Sequence, residues 1–559
     1  MKRPGLNELS LTEKIAQLLM VADEKLQYKM VDGENQIRPK EEIDEILQRC
    51  QFGSYWHTGT VKMDIVNLAE EWATGRCMSM KDSKNYIDGI QKNVRLPMLV
   101  AMDAEYGVGY SLADGSIIPS PLSIGAADAE ETIKKLYAGV AKELRAAGAN
   151  WRWCPVVDLV GRLDASICRI FSDDPERVTR VCTAAIRGAE QENVATTVKH
   201  FPGGSGISST GDSHFTTTCL LSTYEDWKEK QGKIFQNMID AGVMTVMVGH
   251  EAFPAVDDTI INGNPIPCTI SPKVVQGLLR EEMGFKGVII TDAISMAGLT
   301  RTCSTREEVL IRAINAGNDI LLGVTPEDFD LVYAAVCDGR IPMQRIDESC
   351  ERVLTLKEKI GLFNDTPQEE IDTAAVSREV AEASRIIAEK SVTLLYDKHD
   401  LLPISKDTIK SVSIVYASHY SGTGEQLKVM KEEFEKRGAT LTLTNGFPTG
   451  GIAAAAQSDL IIYVGYLAMH RPAGLPSLYG DQLTFFNRAF TQGREKSIGV
   501  SMGYPYLHID VMGGADTFVN IYSPDAEAQR AFVKGIYGEI PFVGTSPVDI
   551  EPKIRQIYC

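Results

Sequence analysis

Short apolar runs alternate with longer amphipathic stretches through the first two thirds of the chain. Each run is a few residues long and rich in Val, Ile or Met, which is typical of strands buried on both faces. The stretches between the runs place apolar residues three and four apart, as in an amphipathic helix. This alternation predicts a parallel sheet, either closed as a (β/α)8 barrel or open and doubly wound. The runs are Phe52–Trp56, Met98–Met102, Trp151–Val157, Val194–Val198, Val243–Val248, Gly287–Thr291 and Asp319–Gly323.

The residues that follow these runs favour the closed barrel. Most runs end in polar groups with catalytic potential, which read HTG, DAE, KHFPGG, GHE and TDA in chain order. In a barrel the C-termini of all strands converge on one active site, whereas an open sheet brings only about two or three of them together. We therefore predict a (β/α)8 barrel that carries its site at the carboxyl end of the strands.

A second alternation of strands and helices begins near Ser411, after a long helical stretch that starts at Val380. The segments SVSIVYAS, DLIIYVGYL, SIGVSMGYPY and TFVNIYS predict a smaller α/β domain of about four or five strands. We expect a catalytic barrel domain over residues 1–375, a helical linker over 376–410 and a C-terminal αβα-sandwich domain over 411–559.

Composition and charge exclude several classes of function. The chain has 57 basic and 75 acidic residues among 559, a formal charge of −18, which disfavours nucleic-acid binding. Its eleven cysteines form no CxxC pair, so neither a disulfide framework nor a zinc site is expected. The apolar residues between Ile15 and Val21 follow helical periodicity rather than that of a signal peptide, and no apolar run is long enough to span a membrane. The sequence therefore predicts a soluble, cytoplasmic protein.

The segment from Lys199 to His214 holds the densest set of polar groups. Lys199 and His200 end a buried run, where both lose hydration unless they find partners. A loop rich in glycine and serine follows and carries Asp212 and His214, which project the same way if the loop is extended. The carboxylate would then orient the imidazole for proton transfer, although an Asp-x-His loop can also be a solvated turn. The loop lacks the GKS or GKT of a phosphate-binding P-loop.

A second candidate group is Asp292, at the end of the apolar run GVIIT. An aspartate there is either catalytic or a structural partner for a neighbouring strand. Asp103 and Glu105 end another run, and Arg169 lies in the segment CRIFSDDP. Glycosidases need an anionic nucleophile opposite a proton donor, together with polar groups that hold the sugar hydroxyls. The predicted strand ends supply all three.

These motifs together resemble glycoside hydrolase family 3, in particular its bacterial β-N-acetylglucosaminidase branch. The similarity rests on KHFPGG…DSH, RIFSDDP and SPKVVQGLLREEMGFKGVIITDAISM, and it continues into the C-terminal part with EKSVTLLYDKHDLLPI. The resemblance implies a (β/α)8 barrel followed by an αβα sandwich. It also implies a retaining β-N-acetylhexosaminidase that acts on a carbohydrate substrate, with no metal and no organic cofactor.

The resemblance assigns a role to each candidate residue. Asp292 corresponds to the nucleophile, and His214, paired with Asp212, corresponds to the acid/base group. The residues that correspond to sugar-hydroxyl ligands are Asp103, Arg169, Lys199 and His200. The sequence departs from the family after Asp103, where DAEYGVGY lacks the basic residue that follows the usual DQEGGRV, and in GGSG, which replaces the usual GHG after KHFP.

Three alternatives remain open at this point. A phosphorylase of the same fold would use phosphate in place of water, and a β-glucosidase or β-xylosidase would differ in the sugar. A non-catalytic sugar-binding protein would have no need of Asp292, Asp212 and His214. The oligomeric state is not predicted.

Overall fold

The computed structural model describes residues 1–31, 34–58, 78–161, 166–203, 213–364, 370–418, 423–445, 450–467 and 488–551. The chain forms two compact units. The first comprises Met1–Ile117, Lys134–Leu159 and Cys182–Val380. The second comprises Ile118–Ile133, Val160–Val181 and Ala381–Cys559, so that two segments from the first third of the chain belong to it. No helix within the described ranges is long and apolar enough to cross a membrane.

The first unit is built on eight parallel strands. Neighbours in the chain are neighbours in the sheet, and a bridge between Ile290 and Ile320 joins the two ends of the strand order. The sheet is therefore closed, and the predicted (β/α)8 barrel is confirmed. The strands are β1 Leu19–Ala22, β2 Ser54–Trp56, β3 Leu99–Met102, β4 Trp151–Arg152, β5 Ala195–Phe201, β6 Thr245–Val248, β7 Val288–Thr291 and β8 Leu321–Val324.

Helices follow the strands as the amphipathic stretches predict. Several begin at a side-chain cap: Ser79 accepts a hydrogen bond from the N–H of Asp82, and Thr305 accepts one from the N–H of Glu308. The helices of this unit include Leu11–Gln17, Asp23–Gln27, Lys40–Cys50, Met80–Gln91, Tyr224–Trp227, Lys228–Gly232, Lys233–Asp240, Lys273–Glu282, Ala297–Thr300, Arg306–Ala316, Pro326–Cys337 and Met343–Lys359. Glu130–Ala146, Pro175–Glu190 and Thr373–Ser391 have residues in both units. Two short hairpins pair Tyr28–Val31 with Glu34–Ile37 and Ile260–Ile261 with Asn264–Pro265.

The barrel interior is filled with apolar side chains from the strands. They form one buried cluster that also contains Val353, Leu356 and Ile360 from the end of helix Met343–Lys359. The same helix contacts the amino end of the strands, because its Lys357 Nζ donates to Gln17 Oε1 at 2.5 Å, two residues before β1. The amino end of the barrel is thus covered by this helix. The strand residues of the cluster include Met20, Leu99, Ala101, Trp151, Ala195, Met247, Val288, Ile290 and Leu322.

The structure differs from the sequence prediction at the first strand. Helical periodicity was expected to continue to Val21, but the helix ends at Gln17 and Leu19–Ala22 form β1, fully buried. A four-residue strand that is buried on both faces shows no alternation of apolar and polar residues. When such a strand follows a helix directly, the spacing of apolar residues cannot show where the helix ends and the strand begins. The strand that carries Lys199 and His200 extends beyond the apolar run Val194–Val198 to Phe201.

The second unit contains a six-stranded sheet, where about four or five strands were predicted. Its strand order is β9-β14-β13-β12-β10-β11, with β9 and β14 antiparallel and the other pairs parallel. Alternate residues of β12 enter different cores: Ile461 and Tyr463 pack on one face, and Ile462 and Val464 on the other. Both faces are therefore covered, as in an α/β sandwich. The strands are β9 Thr393–Asp397, β10 Ser411–Ser418, β11 Thr440–Asn445, β12 Leu460–Leu467, β13 Ser497–Gly503 and β14 Thr517–Asn520.

The two strands that the sequence pattern misses are the edges of this sheet. β11 alternates exposed and buried residues, and β9 is largely half-buried, so neither is a continuous apolar run. β9 lies within the stretch expected to be a helical linker, where the helix ends at Ser391. The other helices of this unit include Pro121–Ala127, Thr423–Gln426, Lys428–Lys436, Gly450–Ala455, Leu507–Asp510 and Ala526–Ile536.

Candidate active site

Charged and polar side chains are concentrated at the carboxyl end of the barrel. Five neighbouring strands, β3 to β7, contribute to this set, and hydrogen bonds or ion pairs link several of its members across strands. The residues are Asp103 and Glu105 after β3, Asp158 after β4, Lys199 and His200 at the end of β5, His250 and Glu251 after β6, and Asp292 after β7.

Asp292 is held by the main chain on both sides. Its N–H donates to the carbonyl of Val248 at 2.9 Å, which continues the pairing of β7 with β6. Its Oδ1 accepts from the N–H of Ala293 at 2.7 Å. The strand thus fixes the backbone of Asp292, and the next peptide fixes its carboxylate.

Histidines control the charge of Asp292. Burial alone would raise the pKa of this carboxyl, but the charges of His200, His250 and His214 and the Ala293 N–H outweigh burial and lower the pKa to about 2. Asp292 is therefore ionised throughout the neutral range, as a nucleophilic carboxylate must be.

His250 positions the peptide that contacts Asp292. Its Nε2 lies 2.9 Å from the carbonyl oxygen of Ala293, and its Nδ1 lies 2.6 Å from Thr269 Oγ1. Burial lowers the pKa of His250 below its usual value. Because a carbonyl only accepts, Nε2 carries a proton, and the Thr269 hydroxyl lies 2.6 Å from both Nδ1 and the Gly249 carbonyl oxygen. The Ala293 peptide is consequently fixed at its carbonyl by His250 and at its N–H by Asp292.

Asp158 orients His200. Its Oδ1 accepts from the His200 N–H at 2.9 Å, and its Oδ2 lies 2.8 Å from His200 Nδ1. Since a carboxylate accepts, Nδ1 carries a proton, and Nε2 is the ring nitrogen left to meet a ligand. The His200 side chain is 16% exposed, which is enough for such a contact.

Lys199 joins the two acidic residues that follow β3. Its Nζ lies 3.1 Å from Asp103 Oδ1 and 2.8 Å from Glu105 Oε1. Arg152 supports the same turn, because its guanidinium donates to the carbonyl of Ala104 at 2.8 and 3.2 Å. The side chain of Asp103 is 37% exposed and that of Glu105 only 9%, so of these two carboxylates Asp103 is the accessible one.

His214 is attached to the loop that follows β7. Its carbonyl accepts from the N–H of Ala297, and the carbonyl of Ser213 accepts from the N–H of Gly298, both at 3.1 Å. A Cβ atom on Gly298 would lie 2.4 Å from the Ser213 oxygen, so glycine permits this close approach. The segment that carries His214 is thereby held beside the loop that carries Asp292.

The structure leaves two of the residues predicted for the site untested. Asp212 lies outside the described residues. Arg169 belongs to the second unit, where it ends a 3-10 turn, Ile167–Arg169, and is buried. The roles predicted for these two residues stay predictions.

Five residues of the site, among them Glu105 after β3, have no role predicted from the sequence. Asp158 lies in CPVVDL, His250 and Glu251 lie in the GHE that follows β6, and Arg152 lies within β4. Their position at or near strand ends was the available signal. Their contacts with Asp292, His200 and the neighbouring peptides depend on how the strands pair. The spacing of residues along the chain does not predict that pairing.

The arrangement suits nucleophilic and acid–base chemistry. It combines an ionised aspartate with histidines close enough to act on its charge, and an accessible carboxylate next to a paired lysine. Among the residues that the structure describes, no three His, Cys, Asp or Glu side chains are grouped so that they could hold a metal ion.

Known proteins resemble this chain over most of its length. Residues 10–356 match the family model described as "Glycosyl hydrolase family 3 N terminal domain". A β-N-acetylglucosaminidase/β-glucosidase of Cellulomonas fimi is 26% identical over 85% of this chain and 87% of its own length. A β-hexosaminidase of Stenotrophomonas maltophilia (strain R551-3) is 33% identical over 43% of this chain and 71% of its own length.

Solved structures extend the likeness to nearly the whole chain. A β-glucoside phosphorylase is similar with a TM-score of 0.80 and 25% identity, covering 99% of this chain and 95% of that one. A family 3 β-N-acetylglucosaminidase from Paenibacillus sp. str. FPU-7 is similar with a TM-score of 0.78 and 24% identity, covering 97% of this chain and 99% of that one.

Proposed function

Because the chain belongs to glycosyl hydrolase family 3, we propose that this enzyme is a retaining β-N-acetylglucosaminidase with Asp292 as its nucleophile. His214, oriented by Asp212, is the acid/base group. The observation that carries the proposal is the placement of Asp292: it is an ionised carboxylate at the end of β7, and the segment of His214 is hydrogen-bonded to the loop that follows it.

In the first step Asp292 attacks the anomeric carbon and forms a glycosyl ester. The bond from that carbon to the leaving oxygen breaks, and the protonated His214 gives its proton to this oxygen. The configuration at the anomeric carbon inverts from β to α. The single hydrogen bond from the Ala293 N–H to Oδ1 fixes the carboxylate and leaves Oδ2 without a described donor, so that this oxygen is the nucleophile.

In the second step the neutral His214 takes a proton from water, and the water oxygen attacks the anomeric carbon. The ester bond breaks, Asp292 returns as a carboxylate and His214 is again protonated. The second inversion restores the β configuration, so the product is a free sugar with net retention.

The sugar is held by groups around the nucleophile. We assign His200 Nε2 and the exposed carboxylate of Asp103 to ring hydroxyls, with Lys199 as a further ligand that also fixes Asp103. Arg169 completes the set proposed from the sequence. The preference for a 2-acetamido sugar rests on the names of the relatives in Cellulomonas fimi and Stenotrophomonas maltophilia, and it is independent of the mechanism.

The test is a panel of aryl β-glycosides that share one leaving group and differ in the sugar: GlcNAc, GalNAc, glucose and xylose. The β-GlcNAc substrate is expected to have the highest kcat/KM, and proton NMR of the first product is expected to show the β anomer. A glucoside or xyloside with a clearly higher kcat/KM would overturn the choice of sugar, and an α anomer would overturn the two-step mechanism.

A second candidate function is phosphorolysis. The solved structure that is similar over 99% of this chain is a β-glucoside phosphorylase. A neutral His214 would not repel an incoming phosphate dianion in the second step, whereas a carboxylate base would. The same two steps would then release a sugar 1-phosphate in place of the free sugar.

The two functions are separated by the product formed in millimolar phosphate. Hydrolysis gives free sugar at a rate that does not depend on phosphate. Sugar 1-phosphate as the main product, with turnover that rises with phosphate concentration, would replace hydrolysis with the second candidate.

A further inference from the structure

Glu251 is an acidic residue of the site that the proposed mechanism does not use. It follows His250 at the carboxyl end of β6, and its side chain is only partly exposed. Its Oε2 is buried and has no hydrogen-bond partner among the described residues. A buried polar atom without a partner destabilises the folded protein, so such atoms are rare in native proteins and call for an explanation.

The backbone around Glu251 makes room for this carboxyl. A Cβ atom on Gly249 would lie 2.2 Å from Glu251 Oε2 and 3.3 Å from the Cβ atom of His200. The carboxyl therefore lies against the main chain of Gly249 and next to His200, a proposed sugar ligand. The Glu251 carbonyl accepts from the N–H of Cys268 at 2.7 Å, which fixes the main chain of the residue.

The groups that face Glu251 favour its neutral form. Burial and the negative charges of Asp158 and Asp292 together raise the pKa of this carboxyl to about 7, against the lowering effects of His200 and of the Glu251 backbone N–H. Burial lowers the pKa of His250, and it keeps the Cys268 thiol protonated by raising its pKa. Below about pH 7 the Glu251 carboxyl therefore retains its proton and can donate it in a hydrogen bond.

We propose that Glu251 binds the sugar held beside Asp292 by donating a hydrogen bond from its protonated carboxyl to a sugar hydroxyl. This role rests on the proposed function, because it requires a glycoside in the site. A neutral donor suits the position, since a third negative charge beside Asp158 and Asp292 would repel both. The hydroxyl supplies the partner that Glu251 Oε2 lacks among the described residues.

The test uses a series of dinitrophenyl β-glycosides in which each ring hydroxyl is removed in turn. The series is built on the sugar that the wild type turns over best. For one position the wild type is expected to lose about 10- to 100-fold in kcat/KM, the value of one hydrogen bond to a well-placed donor. We call this loss the deoxy penalty of that position. In Glu251→Ala the deoxy penalty for the hydroxyl that Glu251 binds disappears and the penalties at the other positions remain, because only the partner of that hydroxyl has been removed.

Two further variants separate the hydrogen bond from the shape of the site. Glu251→Gln keeps a donor and is expected to retain most of the deoxy penalty. Gly249→Ala keeps Glu251 but displaces its carboxyl, so it is expected to reduce the same penalty. The matched control is Glu190→Gln: Glu190 is another buried carboxyl with a raised pKa, bonded to Thr196 Oγ1 at 2.9 Å, and its loss should leave every penalty unchanged.

The pH dependence of kcat/KM is an independent test of the protonated Glu251 carboxyl. Dinitrophenyl glycosides need no proton from a general acid, so acid catalysis does not limit their cleavage. Wild-type kcat/KM is expected to fall above about pH 7 as Glu251 loses its proton. Glu251→Gln should abolish this decline, and Glu190→Gln should keep it.

Equal deoxy penalties in the wild type and Glu251→Ala would overturn the proposal, whatever the stability of the variant. A failure of the proposed function gives a different result, namely a wild type whose product has the inverted configuration. The deoxy penalties would then still be measured, as inhibition constants of the deoxy monosaccharides, and they would still decide the role of Glu251.

Discussion

Asp292 and Asp319 stand at opposite ends of the same pair of strands and keep their negative charges in different ways. Asp292 follows β7 at the carboxyl end of the barrel. Asp319 precedes β8 at the amino end, and its N–H donates to the carbonyl of Ile289 at the start of β7. Burial opposes ionisation of both, and nearby positive groups lower the pKa of each carboxyl below its usual range.

The partners of Asp319 occupy both of its oxygens. Oδ1 accepts from Arg345 at 2.8 Å, from Arg352 at 3.0 Å and from the Ser349 hydroxyl at 2.8 Å. Oδ2 accepts from Arg280 and from the N–H of Ile289. This carboxylate is fully paired and joins β7, β8 and two helices.

Asp292 receives one hydrogen bond from the described residues, from Ala293 N–H, and the histidines around it act through charge. A carboxylate whose charge is balanced but whose oxygens are not all hydrogen-bonded keeps an oxygen available to attack a substrate. A carboxylate enclosed by guanidinium groups has no such oxygen and is structural. Because both carboxyls have a lowered pKa, the lowered pKa does not by itself identify a catalytic carboxylate. The number of hydrogen-bond donors on the carboxylate oxygens distinguishes Asp292 from Asp319.

The largest effect is expected from Asp292→Ala. Since Asp292 is the carboxylate proposed to bond to the anomeric carbon, kcat should fall by about 10⁴-fold. The melting temperature should change little, because the residue contributes one local hydrogen bond. Steady-state kinetics and calorimetry on the same preparation measure both. Residual kcat above about a tenth of wild type would place the nucleophile elsewhere.

Asp319→Ala should show the opposite pattern. Removal of the carboxylate leaves the guanidinium groups of Arg280, Arg345 and Arg352 without their shared partner, which for a buried network costs about 3–5 kcal/mol of unfolding free energy. The kcat of the protein that remains folded should stay close to wild type. Urea denaturation gives the stability, and Asp319→Asn serves as the control that keeps the shape. A large loss of kcat with unchanged stability would contradict the structural role of Asp319.

His214→Ala should lose activity in proportion to how poor the leaving group is. A general acid raises the rate of cleavage by about 10²–10⁴-fold for an alkyl or saccharide leaving group. The increase is much smaller for dinitrophenolate, which departs without a proton. The kcat/KM values for a series of aryl and alkyl glycosides measure this slope. The same loss for every leaving group would refute the acid role.

The smallest effect is expected at Lys357, a buried cation at the amino end of the barrel. Its ammonium donates to Gln17 Oε1, and burial lowers the pKa of Lys357 to about 7. Below pH 7 the folded protein bears the full cost of this charge, and the cost fades as the pH rises towards the unfolded pKa of about 10.4.

Lys357→Met should therefore raise the unfolding free energy most at and below about pH 7, by about 2 kcal/mol, and the gain should shrink as the pH rises from 7 towards 10. Denaturation curves from pH 6 to pH 10 measure the trend. A gain that is independent of pH would show that packing, and not charge, limits this position.

Much of this architecture could be predicted from the sequence. The membership of family 3 and the closed barrel are confirmed, because strands buried on both faces give continuous apolar runs and the motifs lie at their ends. The first strand and the edge strands β9 and β11 were missed, since a four-residue strand has no period and an edge strand is half polar.

The site was predictable in its residue types but not in its pairing. The strand-end positions of Asp103, Lys199, His200 and Asp292 are visible in the sequence. The contact of His250 with the Ala293 carbonyl and the grouping of three arginines on Asp319 join residues that are far apart in the chain, so only the fold brings them together.

The central claim is that Asp292 forms a covalent bond with the sugar. A fluorosugar of the preferred glycone, with a good leaving group, forms the glycosyl-enzyme faster than it is hydrolysed. Intact-mass spectrometry followed by peptide mapping should find one sugar per chain, attached to Asp292, and none in Asp292→Ala. A label on any other residue, or complete turnover of the reagent to an inverted product without an adduct, would contradict the claim.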